Sequence, residues 1–125
     1  MIKMYSLLFA FISSICIVLY SFKYILTNIY YYFKSKYIRK FINKILPFFS
    51  KYNHLLLIIA LISSVLHILG VIMITHIINS GYVVLFLLII VFKFNFFVSK
   101  SPNNTYILNI LSYLLLFSLL IHYYI

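Results

Sequence analysis

The chain has 125 residues, with 10 Lys plus Arg and no Asp or Glu, for a formal net charge of +10. Hydrophobic residues make up 66% and charged residues only 8%, where a soluble domain carries about a quarter of its residues as charges. Such a chain has too few charges to clothe a water-facing surface. Its surface faces lipid, and the class it implies is an integral membrane protein.

The missing carboxylates exclude several function classes. Paired-carboxylate acid–base catalysis, carboxylate metal sites and Ser-His-Asp triads all need a group this chain lacks. With Gly70 and Gly81 as its two glycines, the chain has no Gly-rich phosphate loop either. A catalytic role is therefore disfavoured. The positive charge invites a nucleic-acid reading, but no soluble scaffold exists to display it, so no nucleic-acid partner is expected. Lys and Arg flanking membrane spans instead set orientation and bind anionic headgroups. At 14.9 kDa the chain is one domain. A crossing takes about 20 residues, so at most four fit. The abundance of Phe and Tyr fits an AT-rich coding sequence as well as it fits any function.

The first apolar run, residues 4–22, lies between Lys3 and Lys23. It is long for a signal-peptide core, and Ser21, Phe22, Lys23 and Tyr24 offer no small-residue cleavage pattern. It reads as a transmembrane helix extending to residue 32, with Tyr30, Tyr31 and Tyr32 at the interface, where an apolar ring and a wet hydroxyl are both satisfied. Cys16 lies inside this run. Alone it makes no intrachain disulfide, and it reads as a small apolar filler, with lipidation as the alternative.

Residues 34–50 change character. Apolar side chains fall at Tyr37, Ile38, Phe41, Ile42, Ile45 and Leu46, one face of a helix, while Lys36, Arg39, Lys40, Asn43 and Lys44 take the other. The pattern predicts a short basic amphipathic helix lying in the headgroup plane and ended by Pro47. With Lys34 and Lys51, the basic residues Lys36, Arg39, Lys40 and Lys44 form the expected contact with anionic lipid headgroups.

A second span is predicted over residues 54–77, followed by a turn at Asn79, Ser80 and Gly81. A third follows over 82–98, then a turn at Ser101, Pro102, Asn103 and Asn104, then a fourth span over 106–124. The fold expected is all-α: a four-helix transmembrane bundle with an interfacial helix between helices 1 and 2. The first connection carries six Lys and Arg, the second none, and the third carries Lys100 with Lys93 nearby. By the positive-inside rule both basic connections face the cytoplasm. Both termini then lie outside, with the plasma membrane the expected location.

Four histidines remain as candidates for chemistry: His54, His67, His76 and His122. A histidine at membrane depth is a functional hypothesis by default, and His67, mid-span, is the most demanding. Two imidazoles on facing helices can ligate haem iron. His54 and His67 are thirteen positions apart, about 20 Å of rise, but their directions diverge by about 140°. The segment Asn53-His54-Leu55, then Val65-Leu66-His67, then Gly81-Tyr82 opening the next span, resembles small four-helix membrane proteins of the cytochrome b561 and ferric-reductase-like kind. That resemblance implies b-type haem held by transmembrane histidines. Spans one and three have no histidine, so His122 is the facing ligand on offer, toward His76 or less easily His67. The ordinary alternative places His54, His76 and His122 at span ends as amphipathic rings, with His67 hydrogen-bonded to a neighbouring helix or to Ser63 or Ser64.

Ser63, Ser64, Asn95, Asn109, Ser112 and Ser118 are the other polar groups at depth, the kind that joins helices. Asn109 and Ser112 share a face suited to helix packing or self-association. Three functions follow as expectations: a structural or accessory membrane protein, alone or as a homo-oligomer or part of a larger membrane complex; a small b-type haem electron carrier; and a holin-like pore former. The lack of a polar stripe along the spans counts against the last.

Overall fold

The computed structural model describes residues 1–75, 79–98 and 100–125. The described chain forms four helices, α1 (Ile2–Tyr32), α2 (Lys36–Thr75), α3 (Gly81–Phe96) and α4 (Pro102–Tyr124). Helices α1, α2 and α4 are each long and apolar enough to cross a membrane. Helix α3 is as apolar but has 16 residues. At helical rise it spans about 24 Å, short of a hydrocarbon core of about 30 Å.

Helices α1 and α2 form an antiparallel hairpin in contact along nearly its whole length. Ser6 meets His67, Ser13 Oγ donates to the Ala60 carbonyl at 3.2 Å, the Phe22 and Phe49 rings are 5.2 Å apart, and Arg39 lies over Tyr30. Small residues bring the two backbones together: a Cβ placed on Gly70 would come within 2.8 Å of Ser6 Cβ. This is the device by which helices associate in lipid, where apolar burial alone gives no advantage.

Helix α4 packs antiparallel to α1. Tyr123 pairs with Ser14 at one end, and Asn109 with Asn28 at the other. Helix α3 runs antiparallel to α2 and α4, tied by Asn95 to His54 and by Ser80 to His122. Ile17, Tyr20, Leu57, Ala60, Leu88, Val91 and Leu115 close the core between the four. The outer faces remain apolar and exposed, from Leu8 and Phe11 through Ile62 and Phe86 to Phe117, as a lipid-facing surface requires.

The helix boundaries correct the expectation for the basic segment. It is not a separate interfacial helix ended by proline: α2 runs unbroken from Lys36 to Thr75 with Pro47 inside it. Ile42 is buried, 1% exposed, between the Arg39–Tyr30 and Phe49–Phe22 contacts with α1, while Tyr37 and Phe41 of the same apolar face stay exposed. Pro47 removes one donor, which leaves the Asn43 carbonyl without its i+4 partner. Asn43 and Pro47 are both exposed, so that carbonyl is turned outward, and contacts with α1 on both sides of the proline hold the helix together. Helix α4 also starts earlier than expected. Ser101 Oγ accepts from the Asn104 amide at 3.2 Å, and Pro102 occupies the first turn, a cap that the sequence reading took for a turn.

Candidate functional site

The structure brings His67 and His122 together and keeps His54 apart. Their ring centroids lie 6.5 Å apart, edge to face, at the end of the bundle remote from the basic segment. His76 lies outside the described residues, so its place beside His122 is not described.

His67 sits in α2 one turn from Gly70, where α1 passes closest. Its Nδ1 is 2.9 Å from the Ser6 carbonyl oxygen and 3.0 Å from Ser6 Oγ. A carbonyl only accepts, so Nδ1 carries the proton and donates to it. Ser6 Oγ in turn donates to the His67 carbonyl at 3.2 Å. The neutral ring is thus fixed as one tautomer, with Nε2 left as an acceptor. Ser63 and Ser64 do not reach His67. Their hydroxyls donate to carbonyls of their own helix, Ile59 at 2.6 Å and Leu61 at 2.9 Å.

His122, near the end of α4, holds the start of α3. Its Nδ1 lies 2.8 Å from Ser80 Oγ, and its ring lies against Gly81, where an added Cβ would stand 3.2 Å from Cε1. Glycine at that position lets the ring approach the backbone. Between the two imidazoles and α1 is a mostly apolar cavity of about 340 Å³, lined in part by Phe11, Ser14, Ile68 and Tyr123. This is at the small end of ligand pockets, about 300–1,000 Å³.

The b-type haem expectation finds no support in this geometry. The two rings meet at 68° with 6.5 Å between centroids, and each engages a neighbouring helix through Nδ1, an arrangement that helix packing accounts for without a cofactor. His54, at the other end, has Asn95 and Phe96 for neighbours, its Nδ1 accepting from Asn95 Nδ2 at 2.9 Å. Among the described residues no three His, Cys, Asp or Glu side chains gather at one point, so no metal cage is formed there either.

The basic residues are placed together. Lys34, Lys36, Lys40 and Lys44 are exposed around the tip of the α1–α2 hairpin, and Lys51 is exposed further along α2. Arg39 is half-buried, its Nε donating to the Phe33 carbonyl at 3.2 Å and its guanidinium 5.2 Å from the Tyr30 ring centre. It closes the hairpin and is less available to headgroups than its neighbours.

Asn109 and Ser112 do form a packing face, but toward α1 of the same chain. The Asn28 and Asn109 amides pair reciprocally at 3.2 Å, and Tyr113 adds a contact to Asn28 at 2.7 Å. Asn28 and Ser6 were not singled out from the sequence. The signal was present in α1: Ser6, Ser13, Ser21 and Asn28 recur every seven or eight residues, a seam of small polar side chains on one helical face.

Comparison of the chain with protein-family models, curated proteins and solved structures finds no match in any of the three. The fold and these contacts define an all-helical protein, three of whose helices are long and apolar enough to cross a membrane, joined to one another by neutral hydrogen bonds.

Proposed function

We propose that this is a multi-pass integral membrane protein of structural or accessory role, with four crossings, both termini outside and the basic hairpin tip in the cytoplasm of a plasma-membrane cell surface. In this reading the short α3 completes the bundle as the third crossing, with Lys93 near its end reaching the interface. The hairpin tip, with Lys34, Lys36, Lys40 and Lys44, meets anionic headgroups, and an outer apolar face meets a second copy or a larger membrane complex.

One observation carries the reading. Among the described residues, the three histidines that suggested chemistry are engaged in tying helices together: His67 to α1, His122 to α3, and His54 to α3. Groups used this way fix geometry and need no substrate.

The test is an absorption spectrum of detergent-solubilised protein expressed with ample haem. A colourless protein is expected, and His67→Leu should stay folded. A Soret band that disappears in His67→Ala would overturn the structural reading in favour of the haem carrier. Collapse of membrane potential on induction would overturn it in favour of a pore.

A further inference from the structure

At the opposite end of the bundle from His67, a second cavity of about 420 Å³ opens between all four helices, with Lys23 of α1, Asn53 and His54 of α2, Asn95 of α3 and Lys100 before α4 on its walls. Two lysines share this cavity, and the chain has no side-chain carboxylate with which to neutralise either. Lys23 is half-buried and Lys100 exposed, so solvent screens the pair only in part. Their ammonium groups repel one another unless an anion from outside the chain lies between them.

An unmet acceptor lies just behind the cavity wall. Asn53 is 3% exposed, and its Oδ1 has no hydrogen-bond donor among the described residues. A buried polar atom without a partner is costly, and it marks a place where a donor is missing. His54 adds a further donor to the wall: its Nδ1 accepts from Asn95, so the neutral ring carries its proton on Nε2.

The cavity therefore asks for two things at once, an anion for the lysines and a donor for Asn53 Oδ1. We infer that it binds a phosphate group bearing a neighbouring hydroxyl, a phosphoglycerol group above all. Phosphate meets the lysines through charge-assisted hydrogen bonds, and the hydroxyl meets Asn53. A phosphoethanolamine group has the phosphate too, but its ammonium would lie beside two like charges. A phosphocholine group has no hydrogen-bond donor for Asn53 at all.

The location favours a lipid as source. Lys23 closes the most apolar stretch of α1 and Lys51 precedes that of α2, so the cavity lies at the margin of the apolar part of the bundle, within reach of phospholipid headgroups. The inference rests on the membrane reading for this source alone; the chemistry of the cavity does not depend on it.

Native mass spectrometry of the full chain in detergent tests the inference, with phosphatidylglycerol, phosphatidylethanolamine and phosphatidylcholine as probes. One phosphatidylglycerol is expected to remain bound at a 1:1 ratio, about tenfold more tightly than either other lipid. K23Q/K100Q should lose that preference. K23R/K100R should keep it, which separates loss of charge from loss of fold. K36Q/K40Q removes equal charge from the hairpin tip, and should lower only the salt-sensitive, non-saturating uptake. N53L should narrow the gap between phosphatidylglycerol and phosphatidylcholine. Glycerol 3-phosphate in millimolar excess identifies the source: persistence of the lipid assigns a membrane ligand, and its displacement assigns a soluble phosphoglycerol. Equal retention of all three lipids, or equal losses from K23Q/K100Q and K36Q/K40Q, would overturn the inference.

Discussion

At the scale of single residues, the bundle depends on where side chains are small. Gly70 lets Ser6 reach the α2 backbone, and through that approach Ser6 also engages His67. Gly70→Ala places a methyl group 2.8 Å from Ser6 Cβ, a clash between two helix backbones with little freedom to move. The expected cost is about 1–3 kcal/mol, read as a lower thermal midpoint in detergent. Ser6→Gly in the same chain should recover part of it, and no recovery would show that the two positions are not coupled. The sequence could nominate His67, because a mid-span imidazole is expensive without a partner. It could not name Ser6, which is 61 positions away, because nothing local specifies which helix will lie alongside. Lys100 was read as an orientation signal and Asn53 as part of a motif. Their shared cavity with Lys23 arises only when the four helices converge.

At the scale of elements, α2 is the chief departure from what the sequence led us to expect. A basic amphipathic pattern ending in proline ordinarily describes a helix that lies on a membrane and stops. The pattern was legible; the surface that covers it was not. Helix α1 runs on past the bundle and offers its last turns as the partner, burying Ile42 and setting Arg39 over Tyr30. Proline is then tolerated on the exposed side of a helix held from both ends. Pro47→Ala should restore the missing donor and stabilise the protein, by up to about 3 kcal/mol. Urea or thermal unfolding in detergent measures it. A fall in stability would show that the proline shapes the hairpin. The cap of α4 was within reach of the sequence, since Ser101, Pro102 and Asn104 are the residues that open a helix as well as those that make a turn.

At the scale of the whole molecule, composition carried most of the information. A chain without acidic side chains and with long apolar runs had one class open to it, and the helices bear that class out. The number of crossings rests on α3, which is apolar but short. Single cysteines placed at Lys40 and at Asn79 in a Cys16→Ala background decide it. We expect an impermeant maleimide to label position 40 from the cytoplasmic side and position 79 from the outside. Labelling of both from one side would remove the four-crossing topology.

The neutrality of the contacts between helices has a further consequence, for how the protein tolerates its surroundings. The described cross-helix hydrogen bonds join Ser, His, Asn and Tyr to one another or to backbone carbonyls. Salt screens interactions between ions over about 10 Å at 0.1 M and about 3 Å at 1 M, and apart from the Lys23 and Lys100 pair it has little within the bundle to screen. Brine and fresh water should leave the folded core with nearly the same melting temperature, while vesicles carrying anionic lipid release the hairpin tip as ionic strength rises. The molecule thus separates its two tasks by chemistry: cohesion is indifferent to the electrolyte, and attachment to the membrane surface is tuned by it.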